Sequence, residues 1–144
     1  VASLKNFSRR IVLLAKKFGA NVNKVVKRTA IVVDQTVVLA TPVDTGRARS
    51  NWIVSTGSPS SSKIEPYAPG SKLGLGETGN AGGAIAQGHA AVSGRLPGQP
   101  IFIVNNLSYI DELNKGHSDQ AAAGFVEKAI QAGNAFLRKA KVLR

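Results

Sequence analysis

The chain has no cysteine, only two histidines and only eight carboxylates in 144 residues. Without cysteine there is no disulfide framework and no thiolate metal site, which fits a reducing compartment or a particle assembled in one. No apolar run approaches the roughly 18 to 20 residues that span a bilayer. The first 30 residues scatter eight Lys or Arg among the apolar positions instead of placing a charged segment ahead of an apolar one. The expectation is a protein that is neither secreted nor integral to a membrane. His89 and His117 lie in different segments, neither with a second ligand at helical or hairpin spacing, so a zinc or nucleophile–base site lacks partners. Ser118 and Asp119 beside His117 do not make a triad by adjacency, and Asp111-Glu112 reads as an acidic pair at a helix start. No catalytic residue, metal or cofactor is expected.

One dinucleotide-type pattern is present, Gly74-Leu-Gly-Glu-Thr-Gly79. Phosphate binding by such a pattern needs a strand before it and a helix after it. Here it follows a Pro- and Gly-rich stretch with no hydrophobic strand, and it reads as loop.

The charge is abundant and one-sided, at +11 overall. Residues 1 to 50 hold ten Lys or Arg against two Asp, and a second basic knot closes the chain at Lys128, Arg138, Lys139, Lys141 and Arg144. Such a field favours polyanions or acidic partner surfaces. From Ser3 to about Ala40 there is no proline, and Phe7, Ile11, Leu14, Phe18, Val22, Val25, Thr29, Val33, Thr36 and Ala40 recur at steps of three and four. This spacing predicts one long helix with its packing face along that stripe. Arg9, Arg10, Lys16, Lys17, Lys24, Lys27 and Arg28, with Lys5, fall on the opposite side. They are the candidate contacts to DNA or to an acidic partner, and binding through them would be sequence-independent and salt-sensitive. Gly19 is a candidate kink.

Thr41-Pro42 ends the helix. Asn51 to Thr56 predicts a strand with Trp52 and Val54 on one face and Ile53 on the other, and Pro100 to Asn105 a second strand pairing antiparallel with it. Between them, Gly57 to Gln99 holds ten of the fifteen glycines and four prolines. It reads as a long Gly/Ser-rich loop or arm, a flexible insertion at about 58–99, with a short helix from about Ala81 to Val92 capped by Asn80. A closing helix from about Gln120 to Val142 carries Phe125, Ala129, Ala132, Phe136, Ala140 and Leu143 on one stripe. The fold class is α+β: a long N-terminal helix and a C-terminal helix packed on a small antiparallel β-sheet, in a single domain of residues 1–144.

Two turn segments complete the reading. In Thr41-Pro-Val-Asp-Thr-Gly-Arg47 the Asp44 and Thr45 side chains are placed to bond nearby backbone N–H groups, and Gly46 supplies a positive φ. Asn105-Asn-Leu-Ser-Tyr109, Leu113-Asn-Lys-Gly116 and Ser118-Asp-Gln-Ala121, leading to Gly124-Phe125, form a second turn system. In this order, with a Trp strand after the first segment, they resemble the tail-completion or head–tail joining (neck) family of tailed bacteriophages, and the resemblance covers nearly the whole chain. It implies a subunit of a homo-oligomeric ring, of about six copies, between the tail-tube or tail-terminator proteins and the head connector or adaptor. The ring would surround the DNA channel of the virion after assembly in the host cytoplasm. On this resemblance Asp44, Thr45, Gly46, Arg47, Asn105, Tyr109, Gly116, Ser118 and Gln120 would define the fold or the subunit contacts, with no catalysis implied. The rival reading is a nonspecific DNA-binding protein using the basic helix.

Overall fold

The structure is a computed structural model that describes residues 4–42, 46–68, 77–116 and 124–140. Its elements run α1 (Leu4–Ala40), α2 (Arg47–Ser50), β1 (Ile53–Thr56), α3 (Glu77–Ser93), β2 (Ile101–Val104), α4 (Ile110–Asn114) and α5 (Phe125–Lys139). The expected α+β class holds: long N- and C-terminal helices with a two-stranded antiparallel sheet, Ile53 opposite Val104 and Thr56 opposite Ile101. The predicted alternation of β1 also holds, since Trp52 and Val54 are buried and Ile53 is half-buried.

α1 continues without a break through Gly19, with nothing within 4 Å of the position a side chain there would occupy. It stops where proline forbids helical backbone at Thr41. Its last turn contains no basic residue, and Arg49 of α2 supplies the missing cation, donating to Leu39 O and Thr41 O at 2.8 Å each. The Thr41 hydroxyl in turn accepts the Trp52 indole N–H at 2.8 Å. Trp52 meets Phe125 of α5 edge to face, with centroids 6.5 Å apart. Around this pair Val37, Val38, Ala81, Ala84 and Ala129 form the core, joining α1, α3 and α5.

The packing face of α1 departs from expectation. The deepest residues of the helix are Asp34, Val37 and Val38, none on the predicted stripe, whereas Phe18, which is on it, stays 48% exposed. α5 packs on one side of α1, with Gly133 against Val33 and Thr29, while α3 packs on another, with Gly88 against Asp34, so the C-terminal half buries a sector wider than one stripe. The basic side is correspondingly divided. Lys16, Lys17, Lys24 and Arg28 are exposed, but Lys27 reaches the carbonyl of Ser93 at the end of α3, at 3.5 Å.

The stretch expected as a loop with a short helix over 81–92 contains the seventeen-residue α3, and Asn80 is buried inside that helix instead of capping it. The glycines of α3 lower its intrinsic propensity, but three of them are required by close neighbours. A side chain at Gly79 would run into Ala68, one at Gly83 into the Tyr67 ring, and one at Gly88 into the Asp34 carboxyl. Gln87 reaches the open edge of β1, its amide accepting from Val54 N–H at 2.9 Å and donating to Val54 O at 2.8 Å, as a third strand would. Gln87→Ala leaves both backbone groups without partners, and each buried unpaired group costs about 1–3 kcal/mol. A loss of about 2 kcal/mol in urea unfolding is expected, and an unchanged midpoint would show that the edge does not need the amide.

Candidate functional site

The two turn segments meet. Asn105 donates its side-chain amide to Ala48 O at 2.9 Å and accepts from Leu107 N–H at 3.2 Å, fixing the exit of β2 against α2. Arg47 lies close enough to Tyr109 for its positive charge to favour the ionised phenol, although burial, the larger influence, holds the Tyr109 pKa above its ordinary value. Gly46 has φ 78° as expected and starts α2 from a buried position against Asn80. Gly116 closes α4 with φ 98°, its N–H on Leu113 O at 3.1 Å. Asp44, Thr45, Ser118, Gln120 and His117 lie outside the described residues.

Behind this junction is a polar network that the sequence did not disclose. The Ser50 hydroxyl donates to Asn80 Oδ1 at 2.9 Å and accepts from Tyr67 N–H. Asn80 Oδ1 also accepts from Ala68 N–H, and its Nδ2 donates to Ala68 O, both at 2.8 Å. Asn51 holds Ile64 in the same two-bond manner, its Nδ2 donating to Ile64 O at 2.9 Å and its Oδ1 accepting from Ile64 N–H at 2.8 Å. Side-chain amides thus do for residues 64–68 what a neighbouring strand would do, and they satisfy the buried backbone of a stretch without regular structure. Among the described residues one buried polar atom is left out. Asp34 is 2% exposed, its Oδ1 has no hydrogen-bond partner, and burial pushes its pKa up to about 7.

The other feature is a cleft of about 500 Å³ between α1 and α5. Gly133 faces Thr29 and Val33, and residues 136–140 line the cleft with residues 17–28, so the two helices run antiparallel. Lys17, Asn21, Lys24 and Arg28 on α1 thereby face Lys139 at the end of α5, with Val25, Phe136 and Ala140 as the apolar part of the wall. Of the basic candidates, Lys17, Lys24 and Arg28 are brought together here. Lys16 is exposed but not part of the lining, Lys27 turns to α3, and the side chains of Arg9 and Arg10 are outside the described set. Lys139 was legible only as part of a terminal basic knot, since no spacing in the sequence places it beside residue 24.

For chemistry the arrangement offers little. Among the described residues no group of three or more His, Asp or Glu side chains could hold a metal, and His89 Nε2 pairs with Gln35 Nε2 at 3.2 Å on the surface. The dinucleotide-type pattern does run into α3 at Glu77, but residues 61–66 before it are coil, and Gly74 to Gly76 lie outside the described residues. No helix among the described residues is long and apolar enough to cross a membrane. No protein-family model, curated protein or solved structure matches the chain.

Proposed function

We propose that the protein is a structural subunit of an oligomeric ring in the neck of a tailed bacteriophage, joining tail tube to head connector around the DNA channel. The observation that carries this reading is the proximity of the two segments on which the family resemblance rests. Arg47 of the first acts electrostatically on Tyr109 of the second, and Asn105 of the second bonds the carbonyl of Ala48, the residue that follows the first. α1 adds support: Lys16, Lys17, Phe18, Gly19 and Ala20 are all exposed, and five consecutive helical residues cover the full circumference at 3.6 per turn. The helix there stands clear of its own core with Leu13 and Phe18 at 60% and 48% exposure, a surface that an adjoining subunit would cover.

The protein acts, on this reading, through shape, symmetry and interface burial, and no catalytic step is part of it. Light scattering and negative-stain imaging of the chain, alone and mixed with phage head-connector and tail-tube proteins, should give multiples of the 15.0 kDa subunit and closed rings. A mass that stays at one subunit in every mixture overturns it. A second reading, nonspecific DNA binding by the basic helix, is favoured by the cationic cleft and predicts duplex binding by a species that remains a single subunit.

A further inference from the structure

We infer that the cleft between α1 and α5 is a binding site for a nucleic-acid phosphate backbone, with Lys17, Lys24 and Arg28 of α1 and Lys139 of α5 as the phosphate ligands. Residues 17, 21, 24 and 28 are spaced four, three and four apart, so they form one row along the helix about 16 Å long. Lys139 faces this row across the cleft, and no Asp or Glu is among the described residues that line it. A strand of duplex DNA presents one phosphate per roughly 3.4 Å of axis, so the row spans about five phosphates.

The cost of this arrangement points the same way. Lys24 and Arg28 are like charges four residues apart on a helix, which opposes helix formation by a few tenths of a kcal/mol. Neither they nor Lys139 makes an ion pair among the described residues. Lys139 does serve the α5 dipole, but Lys24 and Arg28 sit in the middle of α1, where no helix end calls for a cation. Among the described residues they have repulsion and no return.

The same residues favour a nucleic acid as the occupant. Cores of protein interfaces are depleted in Lys, whereas three of the four cations here are Lys and all four are exposed. Mobile ammonium groups in a row suit a uniformly charged polymer, which they hold without reading its bases. A second copy of the chain fits poorly, since its eight carboxylates are outnumbered by nineteen cations. The inference rests on the second reading above and sharpens it, replacing a diffuse basic helix face with four residues on two helices.

The test is fluorescence anisotropy with a 20-base-pair duplex of arbitrary sequence between 50 and 200 mM salt. Four phosphate contacts give a slope of log affinity on log salt of about −3.6, or a loss of about 150-fold over that range. Lys24→Gln/Arg28→Gln/Lys139→Gln should bring the slope to about −0.9 and the loss to about fourfold. Lys63→Gln/Lys115→Gln/Lys128→Gln, with the same change in net charge at exposed positions outside the cleft, should leave the slope within one unit of the parent. Equal losses in the two variants overturn the cleft and leave nonspecific binding standing; no duplex binding by the parent chain removes both. Amine acetylation of the unmodified chain gives a readout independent of any folding defect: duplex should protect Lys17, Lys24 and Lys139 but not Lys63 or Lys128. Polyglutamate that protects those lysines at lower concentration than the duplex would assign the cleft to an acidic protein and overturn the inference.

Discussion

At pH 8, Asp34→Asn should be more stable than the parent chain by several kcal/mol, and at pH 4 the two should be nearly equal. Asp34 sits on α1 against Gly88 of α3 and beside Tyr67, 2% exposed, with Oδ1 unpaired. Burial raises its pKa from 3.8 to about 7. Below pH 3.8 the folded and unfolded chains both hold the proton, and the carboxyl adds no pH dependence. Between the two values only the folded chain keeps it, so the unfolded chain binds fewer protons and stability falls as pH rises, by about 1.4 kcal/mol per unit. Above pH 7 the fall is complete, on the order of 4 kcal/mol. The same ionisation near Asp34 helps hold the Tyr67 phenol above its ordinary pKa, after burial itself. The asparagine amide has nearly the same shape and no charge to desolvate, so its cost does not grow with pH. Urea unfolding from pH 4 to pH 8 measures the difference between the two chains. Parallel stability curves would show that the carboxyl finds solvent or a cation in the folded protein.

Asp34 also marks where sequence reasoning stops. The length of α1 was legible because no proline interrupts residues 3 to 40 and the three-four spacing persists. The face it buries was not, because a single stripe averages over a helix whose halves have different surroundings. Near Phe18 the helix is bare, and near Val37 and Val38 it lies between α5 and α3. An acid on the nominally polar side therefore ends up in the core. α3 was legible only in its Ala-rich middle, since Gly82, Gly83 and Gly88 count against a helix by propensity. That Gly83 and Gly88 make room for Tyr67 and Asp34 is a tertiary fact. The same distinction separates the two parts of the candidate site. Gly46 announced its left-handed backbone through turn chemistry, while the cleft needed the antiparallel packing of α5 on α1 to bring two separately visible basic runs together.

Gly46→Ala should cost about 3–5 kcal/mol, more than a left-handed backbone explains, and most of the excess should vanish when Asn80 is truncated. At φ 78° a side chain strains the backbone, typically by 1–2 kcal/mol per residue. The larger loss comes from Asn80: an added Cβ at Gly46 would overlap the Asn80 amide. That amide cannot swing away freely, because it is buried and holds Ser50 Oγ, Ala68 N–H and Ala68 O together. Displacing it leaves several buried polar groups unpaired, at about 1–3 kcal/mol each. In an Asn80→Ala background that network is already lost and the space is open, so Gly46→Ala should cost only the backbone strain. The difference between the two measurements, a coupling of about 2–3 kcal/mol, isolates the contact from the dihedral. Equal costs in both backgrounds would mean that Gly46 is required for its φ alone, and that the link from the first turn segment to α3 contributes nothing to stability. A full coupling would tie the turn, the α3 helix and the coil at Ala68 into one unit, the unit against which Asn105 fixes the exit of β2 through Ala48.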